Sequence, residues 1–240
     1  MAGHRLMRRL LIPVRLFVPL LAGARWSDRL IACLGALIGI AATAAASSVA
    51  PHVGAFPFLV APMGASAVLL FAVPSSPMAQ PWPILGGSIV SALVGICVAR
   101  LVPDPHWAVG IGVSLAILAM SALRCLHPPG GACAILPILA SGQSAATDFG
   151  FALLPVGLNA LLLIAMGLLF HRFSGHSYPH RPVPVAGHKV VATVNGILTE
   201  DVDAALEELG ETFDVAREDL DLLFRVAERH ALDRVQPARR

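Results

Sequence analysis

Charged side chains are scarce in this sequence, and one long stretch has almost none. Only 13% of the 240 residues are charged, 56% are hydrophobic, and the mean hydropathy is +0.75. Between Leu30 and Leu123 the only charged residues are Arg100 and Asp104. An ordinary soluble domain carries about 25% charged residues. The scarcity therefore excludes an ordinary soluble domain and indicates a protein whose solvent is lipid.

Acidic residues are missing from most of the chain, and this limits its chemistry. Only Asp28, Asp104 and Asp148 precede residue 200, and all three lie near predicted helix ends. No pair of carboxylates is therefore placed for acid–base catalysis. No Ser–His–Asp set, zinc signature or phosphate loop shows a suggestive spacing. We expect neither enzyme activity nor a cofactor, and a membrane enzyme acting on a lipid is the weakest alternative.

Metal-ligand patterns are also lacking. The cysteines have no zinc-type spacing and lie in or beside apolar segments, so we expect small, reduced core residues. They are Cys33, Cys97, Cys125 and Cys133. Four histidines surround a proline-rich linker, which is more typical of a solvated linker at the membrane surface than of a metal site. They are His171, His176, His180 and His188.

Four stretches approach the length of about 20 apolar residues that a membrane-spanning helix needs. They cover roughly residues 30–50, 84–102, 107–125 and 150–171. Because the first begins only at about Leu30, we expect it not to be a cleavable signal peptide. Two further segments, at roughly 57–73 and 130–142, are shorter and are broken by proline and glycine. The sequence predicts an all-α fold: a polytopic transmembrane helix bundle of four long spans and two short broken segments.

The two short segments resemble each other. Pro62–Leu69 aligns with Pro129–Leu136, 67 positions later, and five of eight residues are identical. We interpret the membrane part as two repeats, each a long span, a short broken segment and another long span. Paired broken segments mark the binding site of many transporters, but close packing through small residues is an alternative. Full crossing gives six spans and inverted repeats, whereas re-entrant segments give four spans and parallel repeats.

Basic residues cluster at the N-terminus, which has no acidic residue before Asp28. The positive-inside rule predicts a cytoplasmic N-terminus, and either span count places the C-terminus on the same side of the plasma membrane. Because these arginines lie directly against a span, we expect no nucleic-acid partner. The predicted parts are a basic cytoplasmic N-terminus (1–25), a transmembrane domain (26–175), a proline- and histidine-rich linker (176–198) and an acidic, two-helix cytoplasmic tail (199–240).

The tail carries two amphipathic helical patterns. Thr199 is a predicted N-cap and Gly210 a predicted stop for the first helix. The second is predicted at about Asp214–Leu232. Its apolar face comprises Val215, Leu220, Leu223, Phe224 and Ala227. Because this pair is too small for a core of its own, we expect it to pack on a partner, on a second copy or on the membrane domain.

The most unusual local sequence runs from Leu126 to Ala132. Its prolines end the preceding span, its glycines allow a tight backbone path, and Pro129 opens a new helix. The N–H groups of such a helix start favour anions, and the matching segment offers a second start with a serine hydroxyl. The predicted substrate-binding residues are His127, Pro128, Pro129, Gly130, Gly131, Gly64, Ala65 and Ser66.

Three polar residues at membrane depth each allow two interpretations. Imidazole titrates near neutral pH, so His127 either couples proton movement to anion movement or only caps backbone groups at the break. Arg124 is favoured to extend towards lipid headgroups rather than to serve the site. Asn159, in the last span, is more typical of a hydrogen bond between helices than of a ligand.

Three separated motifs carry a family resemblance. His127–Ala132, together with Met63–Phe71 and Pro74–Pro81, resembles the HPP family of integral membrane proteins over about residues 25–179. The resemblance implies a four-helix membrane protein that acts as a transporter, and some plastid and cyanobacterial members are associated with nitrite transport. The segment at 199–234 is similar to the one that joins many bacterial members to a pair of CBS domains. Since the chain ends at Arg240, we expect no such domain and no nucleotide regulation from it.

Two functions follow as hypotheses. The first is a transporter or channel for a small inorganic anion, nitrite or nitrate by resemblance, which works in the lipid bilayer as a homo-oligomer. The alternative is a membrane-anchored sensor or interaction module that acts through its acidic C-terminal tail.

Overall fold

The computed structural model of the protein describes residues 26–49, 58–140, 148–181, 198–209 and 214–235. Regular structure in these ranges is entirely helical, which confirms the predicted all-α class. Two short turns accompany the α-helices, a 3₁₀ turn at Pro77–Ala79 and a π-helical turn at Ala152–Gly157. The α-helices are α1 (Trp26–Ser48), α2 (Pro62–Ala72), α3 (Pro81–Leu101), α4 (Pro105–Ala122), α5 (Pro129–Leu139), α6 (Leu158–Ser174), α7 (Thr199–Leu209) and α8 (Arg217–Val235).

Within the described ranges, four helical segments are long and apolar enough to cross a membrane, as the sequence predicts. They are Trp26–Ser48, Pro81–Leu101, Pro105–Ala122 and Ala152–Ser174. The apolar helices α2 and α5 are each about 16 Å long at 1.5 Å per residue, roughly half of a hydrocarbon core of about 30 Å. α4 begins earlier than predicted because Asp104 caps it. The Asp104 carboxylate accepts the N–H groups of His106 and Trp107 at 2.9 and 3.2 Å.

Neighbouring helices in the second half of the bundle run in alternating directions. α3 begins at one end of the bundle, and we call this end the tail end. There Trp82 Nε1 donates to the carbonyl of Leu123, just after α4, at 3.2 Å. Near the other end of α3, Val98 packs with Ala108 of α4 and with Ile138 of α5. α4 therefore runs towards the tail end, and α5 runs away from it beside α3.

The first half of the bundle starts at the tail end, whereas the second half starts at the other end. The direction of α1 follows from its packing against α6. α6 finishes at the tail end, where the hydroxyl of Tyr178 donates to the Ala79 carbonyl at 2.9 Å. α1 is antiparallel to α6, because Gly35 faces Phe170 and Ser47 lies beside Asn159. α1 and α3 thus both start at the tail end, so the chain must return through α2 between them.

Through its described helices α1 to α6, the chain therefore passes six times between the two ends of the bundle. The opposite directions of the two halves agree with the alternative of inverted repeats, whereas α2 and α5 are each too short to cross a membrane as single helices. The four-helix architecture that the resemblance implies describes only the long helices. The first repeat is α1–α3 and the second is α4–α6, and the two run in opposite directions.

The internal repeat extends from the sequence to the backbone. α2 and α5 contain 11 residues each. The residues before them have nearly the same geometry, with φ −53° and ψ −36° at Ala61 and φ −52° and ψ −40° at Pro128. Equivalent hydrogen bonds flank both helices. They are Met63 N–Val60 O and Gly130 N–His127 O, Gly64 N–Ala61 O and Gly131 N–Pro128 O, and Val73 N–Leu69 O and Ala140 N–Leu136 O.

The backbones of α3 and α5 approach each other closely. A Cβ atom on Gly95 would lie 2.1 Å from the carbonyl oxygen of Ala134, and one on Gly87 would lie 2.6 Å from that of Cys125. Small residues allow this approach between membrane helices. Close packing, the alternative to a binding role, is thus part of what α5 does.

The prediction that all four cysteines are core residues is correct for only two. Cys125 and Cys133 are buried, whereas Cys33 and Cys97 are exposed on the outside of the bundle. All four are free thiols. The error arises because a membrane helix is apolar on its lipid-facing side as well as on its core side.

The two tail helices are joined by an ion pair. The guanidinium of Arg217, at the start of α8, donates to the carboxylate of Asp203 in α7. This hydrogen bond lowers the pKa of Asp203. α8 begins later than predicted, and the predicted stop at Gly210 lies outside the described residues. In the predicted apolar face of α8, Leu223 and Phe224 remain 61% and 38% exposed, so the described residues leave this face largely uncovered.

Candidate functional site

The two equivalent short segments meet at a buried pair of side chains. Ser66, in the second turn of α2, and His127, two positions before α5, have no exposed surface. The Ser66 Oγ atom lies 2.8 Å from His127 Nε2. The structure thus brings together two of the predicted site residues, one from each repeat.

Hydrogen-bond partners fix the roles of the two imidazole nitrogens. His127 Nδ1 lies 2.9 Å from the carbonyl oxygen of Met78, which can only accept, so Nδ1 carries a proton. In the neutral ring, Nε2 then accepts from the Ser66 hydroxyl. A second proton would make Nε2 a donor, and Ser66 would donate instead to the Pro62 carbonyl, 3.3 Å away. The pair therefore has two satisfied arrangements that differ by one proton.

The amide groups at both helix starts already have acceptors. The N–H groups of Gly130 and Gly131 donate to carbonyls three residues earlier at 2.7 and 3.1 Å, and Met63 and Gly64 form the equivalent bonds at 3.1 and 3.0 Å. The first residue of each helix is a proline, which has no N–H. In this conformation the expected cradle of free amides is closed, so side chains are the available donors.

The predicted glycines differ in the space around them. A Cβ atom on Gly130 would lie 2.8 Å from Ser91 Oγ and 3.0 Å from the Gly87 carbonyl oxygen. Nothing lies within 4 Å of the equivalent position on Gly64, and only a Val113 methyl group, at 3.9 Å, approaches it on Gly131. Of the three, only Gly130 is required by close packing.

The other residues near the break lie at different depths. Pro129 is buried at the first position of α5, whereas Ala65 and Pro128 are exposed. Arg124 is also exposed, and its positive φ of 53° ends α4. Its surface position agrees with the favoured interpretation that it extends towards the headgroups.

Two further buried hydroxyl groups on α3 lie beside α5. Ser91 Oγ, next to Gly130, has no hydrogen-bond partner among the described residues. The Ser88 hydroxyl, which lies near the thiol of Cys133, likewise has no hydrogen-bond partner in the described part of the chain. Sequence reasoning missed both, because a serine inside a long apolar span is usually satisfied by its own helix.

The loop before α3 connects His127 to the C-terminal helices. The Ser76 hydroxyl donates to the Asp214 carboxylate, with its two oxygens at 2.8 and 2.9 Å, and Ser76 Oγ accepts the N–H of Met78 at 3.1 Å. The Met78 carbonyl in turn accepts the Nδ1–H of His127. Two sets of hydrogen bonds, joined by the backbone of Met78, therefore link the tail to the buried imidazole. In the sequence, a serine directly before Pro77 is the signal from which this capped turn could have been predicted.

A second contact holds the tail beside the same loop. His180 Nε2 lies 2.9 Å from an Asp219 carboxylate oxygen, and the His180 N–H donates to Gln80 Oε1 at 2.8 Å. Tyr178 is partly buried next to them, and burial raises the pKa of its hydroxyl. A cleft of about 380 Å³ opens at this junction; it is lined by Ser75, Pro77, Gln80, His180, Arg181, Ala216 and Glu218.

A separate buried polar cluster lies at the opposite end of the bundle. Asn159, in α6, has no exposed surface. Its Oδ1 accepts the N–H of Val60 at 2.8 Å, and its Nδ2 donates to Ser47 Oγ at 2.8 Å and to the Phe58 carbonyl at 3.0 Å. Asn159 thus joins α6 to α1, as predicted, and also to the segment that leads into α2.

The histidines after residue 170 bond to protein groups. His171 Nε2 and Nδ1 each have a partner at 2.9 Å, the Leu70 carbonyl and the Ser174 hydroxyl. Within the described ranges, no group of three or more His, Cys, Asp or Glu side chains is placed to hold a metal ion. His188 lies outside these ranges.

Comparisons with known proteins agree with this architecture. The family model described as the HPP transmembrane region matches residues 22–179. Two proteins of Dictyostelium discoideum, whose names say only that they are transmembrane proteins, are 37% identical over 121 residues and 36% identical over 126 residues. These alignments cover 49% and 50% of this chain but 39% and 44% of the relatives, so the chain spans less than half of their length. No solved structure matches.

The extent of the family match and the four long apolar helices lead to the same assignment. The match covers more than half of the chain and includes both short helices together with the His127–Pro128–Pro129 sequence. The relatives are transmembrane proteins as well. The chain is therefore a multi-pass integral membrane protein that belongs to the HPP family.

Proposed function

We propose that this protein transports a small inorganic anion, nitrite or nitrate, across the membrane, and that the Ser66–His127 pair closes its path. The observation that carries the proposal is the pair itself: two broken helices from inverted repeats meet through a buried hydrogen bond. Transporters built from inverted repeats bind their substrates near the repeat interface, at discontinuous helices. No enzymatic step is part of the proposal.

The buried polar groups favour an anion over a cation. Nine polar side chains are buried in the described part of the chain, and none of them is acidic. Six are hydroxyl groups, which donate hydrogen bonds to an anion; a metal cation would instead prefer carboxylate and carbonyl oxygens. Ser66, Ser88 and Ser91 all lie where α2 or α3 borders the start of α5. A few hydroxyls and one imidazole suit an anion of a few atoms.

His127 offers the charge that such an anion needs. An anion in an apolar interior is costly unless a positive group accompanies it. His127 is the ionisable side chain at the contact between the repeats. In its protonated form, Nε2–H and the Ser66 hydroxyl are both donors, so both can donate to an anion once the pair separates. We therefore propose that one proton crosses with each anion.

The proposal includes an orientation and an assembly. Arg172 and Arg181 are exposed at the tail end. By the positive-inside rule, we propose that this end faces the cytoplasm and that the protein lies in the plasma membrane. A bundle with only six passes is small for enclosing a path, and we propose a homo-oligomer.

Uptake by the purified protein in proteoliposomes tests the proposal. Vesicles with an entrapped pH-sensitive dye receive equal gradients of nitrate, nitrite, chloride or sulfate, at several pH values around neutrality. We expect nitrate and nitrite to enter faster than they enter protein-free vesicles, to acidify the lumen, and to enter faster at lower external pH. Equal rates with and without the protein for every anion would reject the proposal.

A second candidate function is that of a sensor or interaction module, and the tail contact favours it. The Asp214–Ser76 bond and the His180–Asp219 pair attach the acidic tail to the loop that holds His127. A partner that binds the tail would pull on this loop. Deletion of residues 199–240 separates the two candidates: transport and cellular phenotype that both survive the deletion support the first, and loss of the cellular phenotype while the protein still inserts supports the second.

A further inference from the structure

Each short helix has a lead residue two positions before its first proline, Val60 for α2 and His127 for α5. The carbonyls of both lead residues accept an N–H from three residues later, at 3.1 and 2.7 Å. The two residues are thus equivalent in the repeat and in backbone structure. They differ in side chain, because one is apolar and the other polar.

The lead residue of α5 is held by its own side chain, whereas that of α2 is held by another helix. The imidazole of His127 bonds to Ser66 and to Met78. Val60 cannot do this, and the amide of Asn159, from α6, takes its N–H instead. The same amide also donates to the carbonyl of Phe58, two residues earlier. Asn159 therefore bonds to the backbone at two points, Phe58 and Val60, of the segment that leads into α2.

We infer that Asn159 is a positioning residue that keeps the path closed at the opposite end of the bundle, as the Ser66–His127 pair keeps it closed at the tail end. The inference rests on the proposed transport function. In transporters with inverted repeats, alternating access is largely a rocking or gating of one repeat against the other around a fixed site, so we expect equivalent elements to close opposite ends of the path. Release of the Asn159 bonds would free the start of α2, and release of the His127 bonds would free the start of α5.

A purely structural role would make Asn159 only a link between α1 and α6. The link to α1 is a single bond, from Asn159 Nδ2 to Ser47 Oγ. Replacing Ser47 by alanine removes that bond and leaves the two bonds to the α2 approach. Ser47→Ala is therefore the matched control for Asn159→Leu, which removes all three bonds and keeps the branched shape of the side chain.

Cys133 provides the readout. It lies in α5, has no exposed surface, and belongs to the same core cluster as Val60 and Met63 at the start of α2. With Cys33, Cys97 and Cys125 replaced by alanine, a membrane-impermeant maleimide added from one side at a time reports which end of the bundle is open. The measurement needs no anion, so its outcome is separate from that of the uptake assay.

Asn159→Leu is expected to raise the rate of Cys133 labelling from the opposite side by about tenfold, since lost buried hydrogen bonds shift the closed–open equilibrium by about that factor. Labelling from the tail side is expected to stay unchanged, and so is labelling of Ser47→Ala. Asn159→Asp keeps the acceptor for Val60 and is expected to give a smaller rise, and it serves if the leucine variant does not fold. Equal rises from both sides, no rise in either variant, or the same rise in Ser47→Ala would overturn the inference.

Discussion

Ser66 and His127 are 61 positions apart in the sequence, yet their side chains meet at 2.8 Å between two helices that are equivalents of each other in an inverted repeat. The contact is fully buried and polar on both sides. A buried hydrogen bond contributes modestly while it is formed, but a buried donor or acceptor left without a partner costs more. Movement of either short helix must therefore offer these groups new partners, and the proposed anion would serve as one.

Replacing Ser66 by alanine leaves His127 Nε2 without its partner. A buried group left in this way costs about 1–3 kcal/mol. We expect nitrate uptake to fall by about tenfold or more, which is the rate equivalent of that cost, while the protein still inserts into the membrane. Initial rates in proteoliposomes, normalised to reconstituted protein, measure the change.

Ser114→Ala is the matched control. Ser114 is also in a membrane helix and donates to the carbonyl four residues earlier, at 2.9 Å, but it is exposed on the outside of the bundle. Its replacement is expected to leave uptake unchanged. Uptake by Ser66→Ala equal to that of Ser114→Ala would remove Ser66 from the site.

Two adjacent glycines are expected to respond differently to a single methyl group. Gly130→Ala places the methyl 2.8 Å from Ser91 Oγ and 3.0 Å from a backbone oxygen, and overpacking of this kind costs about 1–3 kcal/mol. Gly131→Ala has its nearest neighbour at 3.9 Å. We expect a lower unfolding temperature and slower uptake for Gly130→Ala only, measured in detergent and in proteoliposomes. A lower unfolding temperature and slower uptake in Gly131→Ala as well would show that the close approach of α3 and α5 is misassigned.

The two nitrogens of His127 can be tested separately. An asparagine amide reaches the position of Nδ1 and can still donate to Met78, whereas a glutamine amide reaches the position of Nε2 and can still bond to Ser66. Neither amide titrates near neutral pH. We expect both variants to lose the increase of uptake at low pH, and His127→Gln to retain more uptake than His127→Asn. A low-pH increase that persists in both variants would place the proton elsewhere.

The tail contact is expected to affect uptake through the loop before α3. Asp214→Ala removes the acceptor of the Ser76 hydroxyl, which in turn positions Met78 and its bond to His127. We expect the uptake rate at saturating nitrate to change while insertion stays normal. Val215→Ala, at the next and exposed position, is the control and is expected to behave as wild type. Identical rates for the two variants would separate the tail from transport.

Much of the architecture could be predicted from the sequence because the relevant signals are local. Apolar length gives the four long helices, and proline and glycine give the breaks before α2 and α5. The repeat could be recognised because both breaks use the same residues at a fixed separation. The directions of α2 and α5 could not be predicted, since an 11-residue helix is too short to show by itself whether the chain continues to the other end of the bundle or turns back.

The contacts of the candidate site were less accessible to sequence reasoning. Ser66 and His127 could be singled out as polar residues at membrane depth, but their pairing depends on how α2 and α5 pack. Asn159 could be recognised as a link between helices, but its bonds to Val60 and Phe58 depend on an irregular approach to α2. The route from Asp214 to His127 joins a tail and a loop that carry no shared pattern.

The rate of nitrate entry into proteoliposomes that contain the wild-type protein or Ser66→Ala, each compared with protein-free vesicles, tests the central claim most directly. The account predicts entry well above the protein-free rate for the wild type, accompanied by acidification of the lumen, and entry near the protein-free rate for Ser66→Ala. Entry through the wild-type protein no faster than through lipid alone, or equal entry through both proteins, would contradict it.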